Sequence, residues 1–91
     1  MEFLVRFETT LPPGMDSEEV GRLKTNERER ATELRQEGKL VRLWRVPGRR
    51  AVVGLWKAAS TTELHEAIAS LPQFPWMDVT VEPLALHPQE L

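Results

Sequence analysis

The chain has no cysteine, so disulfide staples, thiolate nucleophiles and thiolate metal sites are all excluded. That composition suits a reducing cytoplasm. No stretch approaches the roughly 18 apolar residues a membrane span requires. The opening Met1-Glu2-Phe3-Leu4-Val5-Arg6 carries an acid at position 2 and lacks the apolar run of a signal peptide. Glycine-rich phosphate loops and dinucleotide fingerprints are missing too, since Gly14, Gly21, Gly38, Gly48 and Gly54 are scattered. Two histidines, His65 and His87, form no metal-ligand spacing, and no serine or threonine sits in a nucleophile motif. There is no excess of positive charge: twelve basic and fourteen acidic residues leave a net charge of −2. A generally basic nucleic-acid binder is thereby excluded.

What remains is 91 residues, 41% hydrophobic and 29% charged, read as one soluble domain over 1–91 with a polar tail from about residue 87. A chain this short buries only about 60–65% of its unfolded surface, so self-association is expected to complete its core. The charge is unevenly distributed. From Gly38 to Lys57 there are six basic residues (Lys39, Arg42, Arg45, Arg49, Arg50, Lys57) and no acid. The rest of the chain holds the other six bases and all fourteen acids. A cationic strip on an acidic protein suggests an anionic small molecule or an acidic partner, against the plainer alternative of a solvated outer strand face.

Periodicity gives the order of elements. Phe3, Val5 and Phe7 alternate with polar or outward residues as a first strand, stopped by Leu11-Pro12-Pro13-Gly14. Asp16 or Ser17 caps a helix running to about Gln36, with Gly38 as its stop. Lys39–Val46 and Arg50–Lys57 flank Pro47-Gly48-Arg49 as a hairpin. Ser60-Thr61-Thr62-Glu63 matches a capping box, opening a second helix that ends by Pro72. Met77 to about Leu86 supplies a fourth strand. The order βαββαβ with right-handed crossovers predicts an α+β, ferredoxin-like fold: a four-stranded antiparallel sheet with two helices on one face. Its other face, with Leu4, Leu84 and Leu86, is apolar enough to predict an oligomer.

One residue breaks the helical pattern. Val20, Leu23, Ala31 and Leu34 share one arc of the first helix, and Glu27 falls in its middle. A carboxylate among apolar neighbours loses hydration and its pKa rises toward neutrality, which is what a group that both takes and returns a proton needs. The competing reading is a structural ion pair with a hairpin arginine, or a side chain tilted into solvent. Trp44, Trp56 and Trp76 are read as packing residues, with Trp44 and Trp76 able to wall a ligand pocket.

Several segments together are distinctive: Phe3-x-Val5-Arg6, Leu11-Pro12-Pro13-x-Met15, Lys24-x-x-Glu27 and Gly38-Lys39-x-x-x-Leu43-Trp44-Arg45-x-x-Gly48. Glu63-Leu64-His65, Leu71-Pro72-x-Phe74-Pro75-x-Met77-Asp78 and Pro83-Leu84-x-x-His87-Pro88 complete the set. With these the chain resembles the muconolactone delta-isomerase family over nearly its whole length. The resemblance implies a cofactor-free isomerase, assembled as a homodecamer, that shifts a double bond in an anionic lactone or similar unsaturated carbonyl acid during aromatic degradation. It implies Glu27 as the proton carrier and a basic residue as the clamp on the substrate carboxylate. Arg42 is the first choice for that clamp, with Lys39, Arg45 and Lys24 as alternatives and Arg6 as a further one; Trp44 and Arg50 complete the expected substrate-binding set. Members of the family carry an aromatic residue at Arg50, polar side chains at Val52 and Gly54, and Trp at Leu40, so the hairpin is where the substrate of this chain is expected to differ. Two other readings stay open at this point, a non-catalytic ligand-binding oligomer and a different cofactor-free enzyme on the same scaffold.

Overall fold

A computed structural model describes all of residues 1–91. Strand β1 (Glu2–Thr9) leads to helix α1 (Ser17–Gln36), then β2 (Leu40–Arg45), β3 (Ala51–Lys57), helix α2 (Thr61–Ala69) and β4 (Met77–Leu84). Short 3₁₀ turns occupy Phe74–Trp76 and Pro88–Glu90. The strands lie in the order β2-β3-β1-β4, all neighbours antiparallel. This is the ferredoxin-like architecture, and the element boundaries fall within a few residues of those expected. No helix is long and apolar enough to cross a membrane.

Local chemistry explains the boundaries. The Asp16 side chain accepts the Glu18 N–H at the start of α1. At its other end the Lys39 N–H reaches Leu34 O and the Gly38 N–H reaches Arg35 O, a Schellman closure that requires the positive φ (77°) of Gly38. In α2 the Ser60 hydroxyl accepts the Glu63 N–H at 3.1 Å, while the Glu63 carboxylate accepts the Ala59 N–H one residue before the usual capping-box donor. Between β2 and β3 the Arg49 N–H closes on Val46 O, with Pro47 second and Gly48 third at φ 74°. That is the chemistry of a type II turn.

Phe3, Val5 and Phe7 of β1 point to the helices, as do Trp56 and Leu40; they pack with Leu34 of α1 and Leu64, Ala67, Ile68 and Leu71 around α2 in a single core. Residues paired across antiparallel strands share a face. Val52, Gly54 and Trp56 therefore lie with Phe7, Val5 and Phe3 under the helices, while Leu4, Arg6, Val53 and Leu55 lie on the open face. Leu4 and Leu84 are on that open face as expected, among charged groups such as Arg6 and Glu8.

The pairing of β2 with β3 shifts between Leu40 and Arg42, so Val41 is an extra residue in the strand. A one-residue bulge reverses the facing of everything beyond it. Leu40 pairs with Trp56 on the helix side, but Arg42 then pairs with Leu55 and Trp44 with Val53 on the open side. Leu43 and Arg45, paired with Gly54 and Val52, turn inward.

Gly54 is demanded by its neighbour. A Cβ there would stand 2.7 Å from Trp56 Nε1 and 3.1 Å from Leu43 Cδ2. The Trp56 indole thus occupies the space a side chain at 54 would need. Gly54→Ala is expected to destabilise the fold by about 1–3 kcal/mol in urea denaturation, the usual range for overpacking. A change below a few tenths of a kcal/mol would refute this packing.

Candidate active site

Glu27 lies in the third turn of α1, on the stripe that faces the sheet and half-buried. Its Oε1 accepts the backbone N–H of Gln73 at 2.8 Å, from the segment that leads out of α2. Burial raises the Glu27 pKa above its ordinary carboxylate value, and the Gln73 hydrogen bond opposes that rise in part. No ion pair reaches its carboxylate. The structural ion pair and the solvent-tilted rotamer considered from the sequence are therefore both absent. One oxygen is anchored; the other is available.

Glu27 opens onto a cleft of about 640 Å³, within the range of small-molecule sites. Its apolar lining includes Phe7, Ala31, Leu40, Leu43, Val52 and Trp56. The charged lining is Lys24 and Arg28 from α1, Arg45 from the end of β2, and Arg49 and Arg50 from the turn. Lys24 stands one turn before Glu27, on the same side of the helix. A carboxylate with a raised proton affinity, facing several cations across an apolar floor, can move a proton within an anionic ligand.

The expected site residues divide into two groups. Glu27, Lys24, Arg45 and Arg50 line one cleft. Arg42 does not: the bulge at Val41 puts it on the open face, with its guanidinium 5.5 Å from the Trp44 ring centre. Trp44 is turned outward with it, so the indole that walls the cleft is Trp56. Lys39 stands outside the cleft, its ammonium 3.3 Å from Glu37 and its N–H used in closing α1. Arg6 is on the open face with Glu8 at 3.0 Å. Arg28, Arg49, Trp56 and the Gln73 amide were not singled out from the sequence. Two of them carry a signal: Arg49 as part of the acid-free strip, and Trp56 through its alternation with Val52 and Gly54.

A family model described as muconolactone delta-isomerase matches residues 1–90. The chain belongs to the muconolactone delta-isomerase family. Among its relatives, muconolactone delta-isomerase 2 of Acinetobacter lwoffii is 40% identical over 87 residues, covering 96% of this chain and 91% of that protein. Muconolactone delta-isomerase of Pseudomonas aeruginosa is 37% identical over the whole of this chain and 95% of its own. A crystal structure of muconolactone isomerase superposes with a TM-score of 0.90 at 38% identity, covering 97% of this chain and 92% of the other. Membership of the muconolactone delta-isomerase family makes this chain an intramolecular isomerase of aromatic degradation. The family's lactone chemistry and the cleft's make-up, one half-buried acid among cations, agree.

Proposed function

We propose that the chain isomerises an anionic lactone, muconolactone or a close relative, by moving one proton with Glu27. The observation that carries this reading is the half-buried Glu27 with one oxygen tied to the Gln73 amide, opening onto a cationic cleft. In muconolactone the ring double bond is conjugated with the lactone carbonyl. The free Glu27 oxygen takes the proton from the ring carbon that bears the carboxymethyl arm. The electron pair left behind delocalises through the ring onto the carbonyl oxygen. The same carboxyl then returns the proton to the carbon next to the carbonyl, leaving the double bond shifted and the atoms conserved. Because a single group does both steps, the proton stays on one face of the ring. No cofactor is called for.

Arg45 and Lys24, one from each wall of the cleft, are the groups we assign to the substrate carboxylate and to the negative charge that develops on the ring. Arg45 takes the place first given to Arg42. We further propose that the enzyme self-associates through the open sheet face, in dimer units of a decamer, and works in the cytoplasm, which its cysteine-free composition suits.

Incubation with muconolactone tests the reading, with 3-oxoadipate enol-lactone as the expected product after dialysis against a chelator. Absence of product both from muconolactone and from its counterpart with an additional ring carboxylate, alongside an active family member as control, would overturn it. Arg45→Leu should raise KM about 10–100-fold, the effect of losing one charge-assisted hydrogen bond, and lower kcat much less. An unchanged KM would remove Arg45 from the clamp.

A further inference from the structure

Five of the chain's twelve basic residues line the Glu27 cleft, and only one of its fourteen acids does. Lys24, Arg28, Arg45, Arg49 and Arg50 come from both walls, on a helix, a strand end and a turn. None of the five is ion-paired. The ion pairs of the chain are Arg6–Glu8, Arg30–Glu33, Arg30–Glu37 and Lys39–Glu37, all of them elsewhere. Arg49 and Arg50 also border a shallow recess beside Glu8, but the Glu8 carboxylate is held by Arg6 at 3.0 Å. Nor does Glu27 neutralise the group. Its anchored oxygen faces the Gln73 amide, and no cationic nitrogen lies within 4.0 Å of its carboxylate.

Five exposed, unpaired cations around one cleft give it a positive potential that favours an anionic ligand. A single carboxylate offers two oxygens, which one bidentate arginine and one further cation already satisfy. That accounts for Arg45 and Lys24. Arg28, Arg49 and Arg50 are left over. Arg28 stands one turn beyond Lys24 on the same helix and can share its role, whereas Arg49, which closes the Val46–Arg49 turn, and the adjacent Arg50 form a separate pair that points to a second anionic group. The cleft volume of about 640 Å³ leaves room for one.

We infer that this cleft selects a dianionic lactone, one that carries a second carboxylate beyond the arm found on muconolactone, seated on Arg49 and Arg50. The inference rests on the lactone isomerase reading for the chemistry, but the selection itself is a binding property and can be measured without turnover. Two unreactive probes suffice: the saturated γ-butyrolactone with one carboxymethyl arm, and the same lactone bearing an additional ring carboxylate.

Titration calorimetry should show the dicarboxylate binding at least about tenfold more tightly, with the steeper loss of affinity as salt is raised. In an Arg49→Ala/Arg50→Ala variant, checked by circular dichroism for an intact fold, that ratio should fall to within about twofold of unity. Equal or weaker binding of the dicarboxylate by the native protein overturns the inference, as does a preference that survives in the double variant. The isomerase reading fails separately. A strong preference with no turnover of either unsaturated counterpart would remove the chemistry and keep the selectivity, whereas turnover of muconolactone with no preference would do the reverse.

Discussion

Replacing Glu27 by Gln should lower kcat by about 10²–10⁴-fold, the usual contribution of one positioned acid–base group, with the fold retained. Gln keeps the length of the side chain and an oxygen able to accept the Gln73 N–H, the one hydrogen bond recorded for Glu27. It cannot take up a proton from carbon. KM should move little, because the cations and not Glu27 hold the substrate. A variant with normal kcat would eliminate the proton-carrier role. A variant that lost its fold would be separated from one that lost chemistry by its circular dichroism and by its binding of the saturated lactone.

The same substitution yields a pH signature whose sign is fixed. Burial raises the Glu27 pKa in the folded state above its unfolded value. The favourable contribution of the protonated carboxyl is therefore complete below the unfolded carboxylate pKa and is lost as pH rises through the higher, folded one. Glu27→Gln has no such loss. Its stability relative to the native protein should improve as pH increases through the carboxylate range and level off above it, as followed by urea midpoints. Activity runs the other way, since kcat/KM needs the ionised base and should climb through that same raised pKa. A group that destabilises the neutral-pH fold slightly and is needed for turnover is the signature of a functional acid. A flat stability difference would show that Glu27 is as hydrated as a surface carboxylate.

The helical arc that placed Glu27 among Val20, Leu23, Ala31 and Leu34 was legible because a helix repeats rigidly every 3.6 residues. The acid-free strip was legible as a count, yet its geometry was not. Strand alternation is only as good as its register, and the single extra residue at Val41 sends Arg42 and Trp44 to one face and Arg45 to the other. No residue type marks that bulge, so neither the acid-free strip nor the family resemblance tells which of Arg42 and Arg45 faces the cleft. The anchor on Glu27 was hidden for a different reason. It is a backbone amide, that of Gln73, brought 46 positions along the chain by the path out of α2, and backbone donors leave no trace in side-chain patterns. Trp56 could have been read inward from its alternation with Gly54 and Val52. Trp44, in the distinctive segment Leu43-Trp44-Arg45, is the tryptophan the motif suggests, but the bulge turns it to the open face.

Trp56 carries the second large effect. It is 1% exposed, packs against Phe7 with ring centres 6.0 Å apart, pairs with Phe3 and Leu40 across the sheet, and forms part of the cleft wall. Trp56→Ala should therefore cost about 3–5 kcal/mol in denaturant unfolding, a large share of the roughly 5–15 kcal/mol that holds a domain together. Trp56→Phe should cost less than half as much. The reason is the indole nitrogen, which is buried without a hydrogen-bond partner. An unmade buried hydrogen bond carries a penalty of about 1–3 kcal/mol, and a phenyl ring removes that penalty while retaining most of the apolar packing. Phenylalanine also withdraws the atom that a side chain at position 54 would strike, so Gly54→Ala should be better tolerated in the Trp56→Phe background than in the native one. A double-mutant cycle across the two positions should return a coupling of about 0.5–3 kcal/mol. Strict additivity would mean that the indole does not lie over Gly54. If instead Trp56→Phe proved as costly as Trp56→Ala, the nitrogen would have to be satisfied in solution by a water or a second chain, and the penalty assigned to it here would vanish.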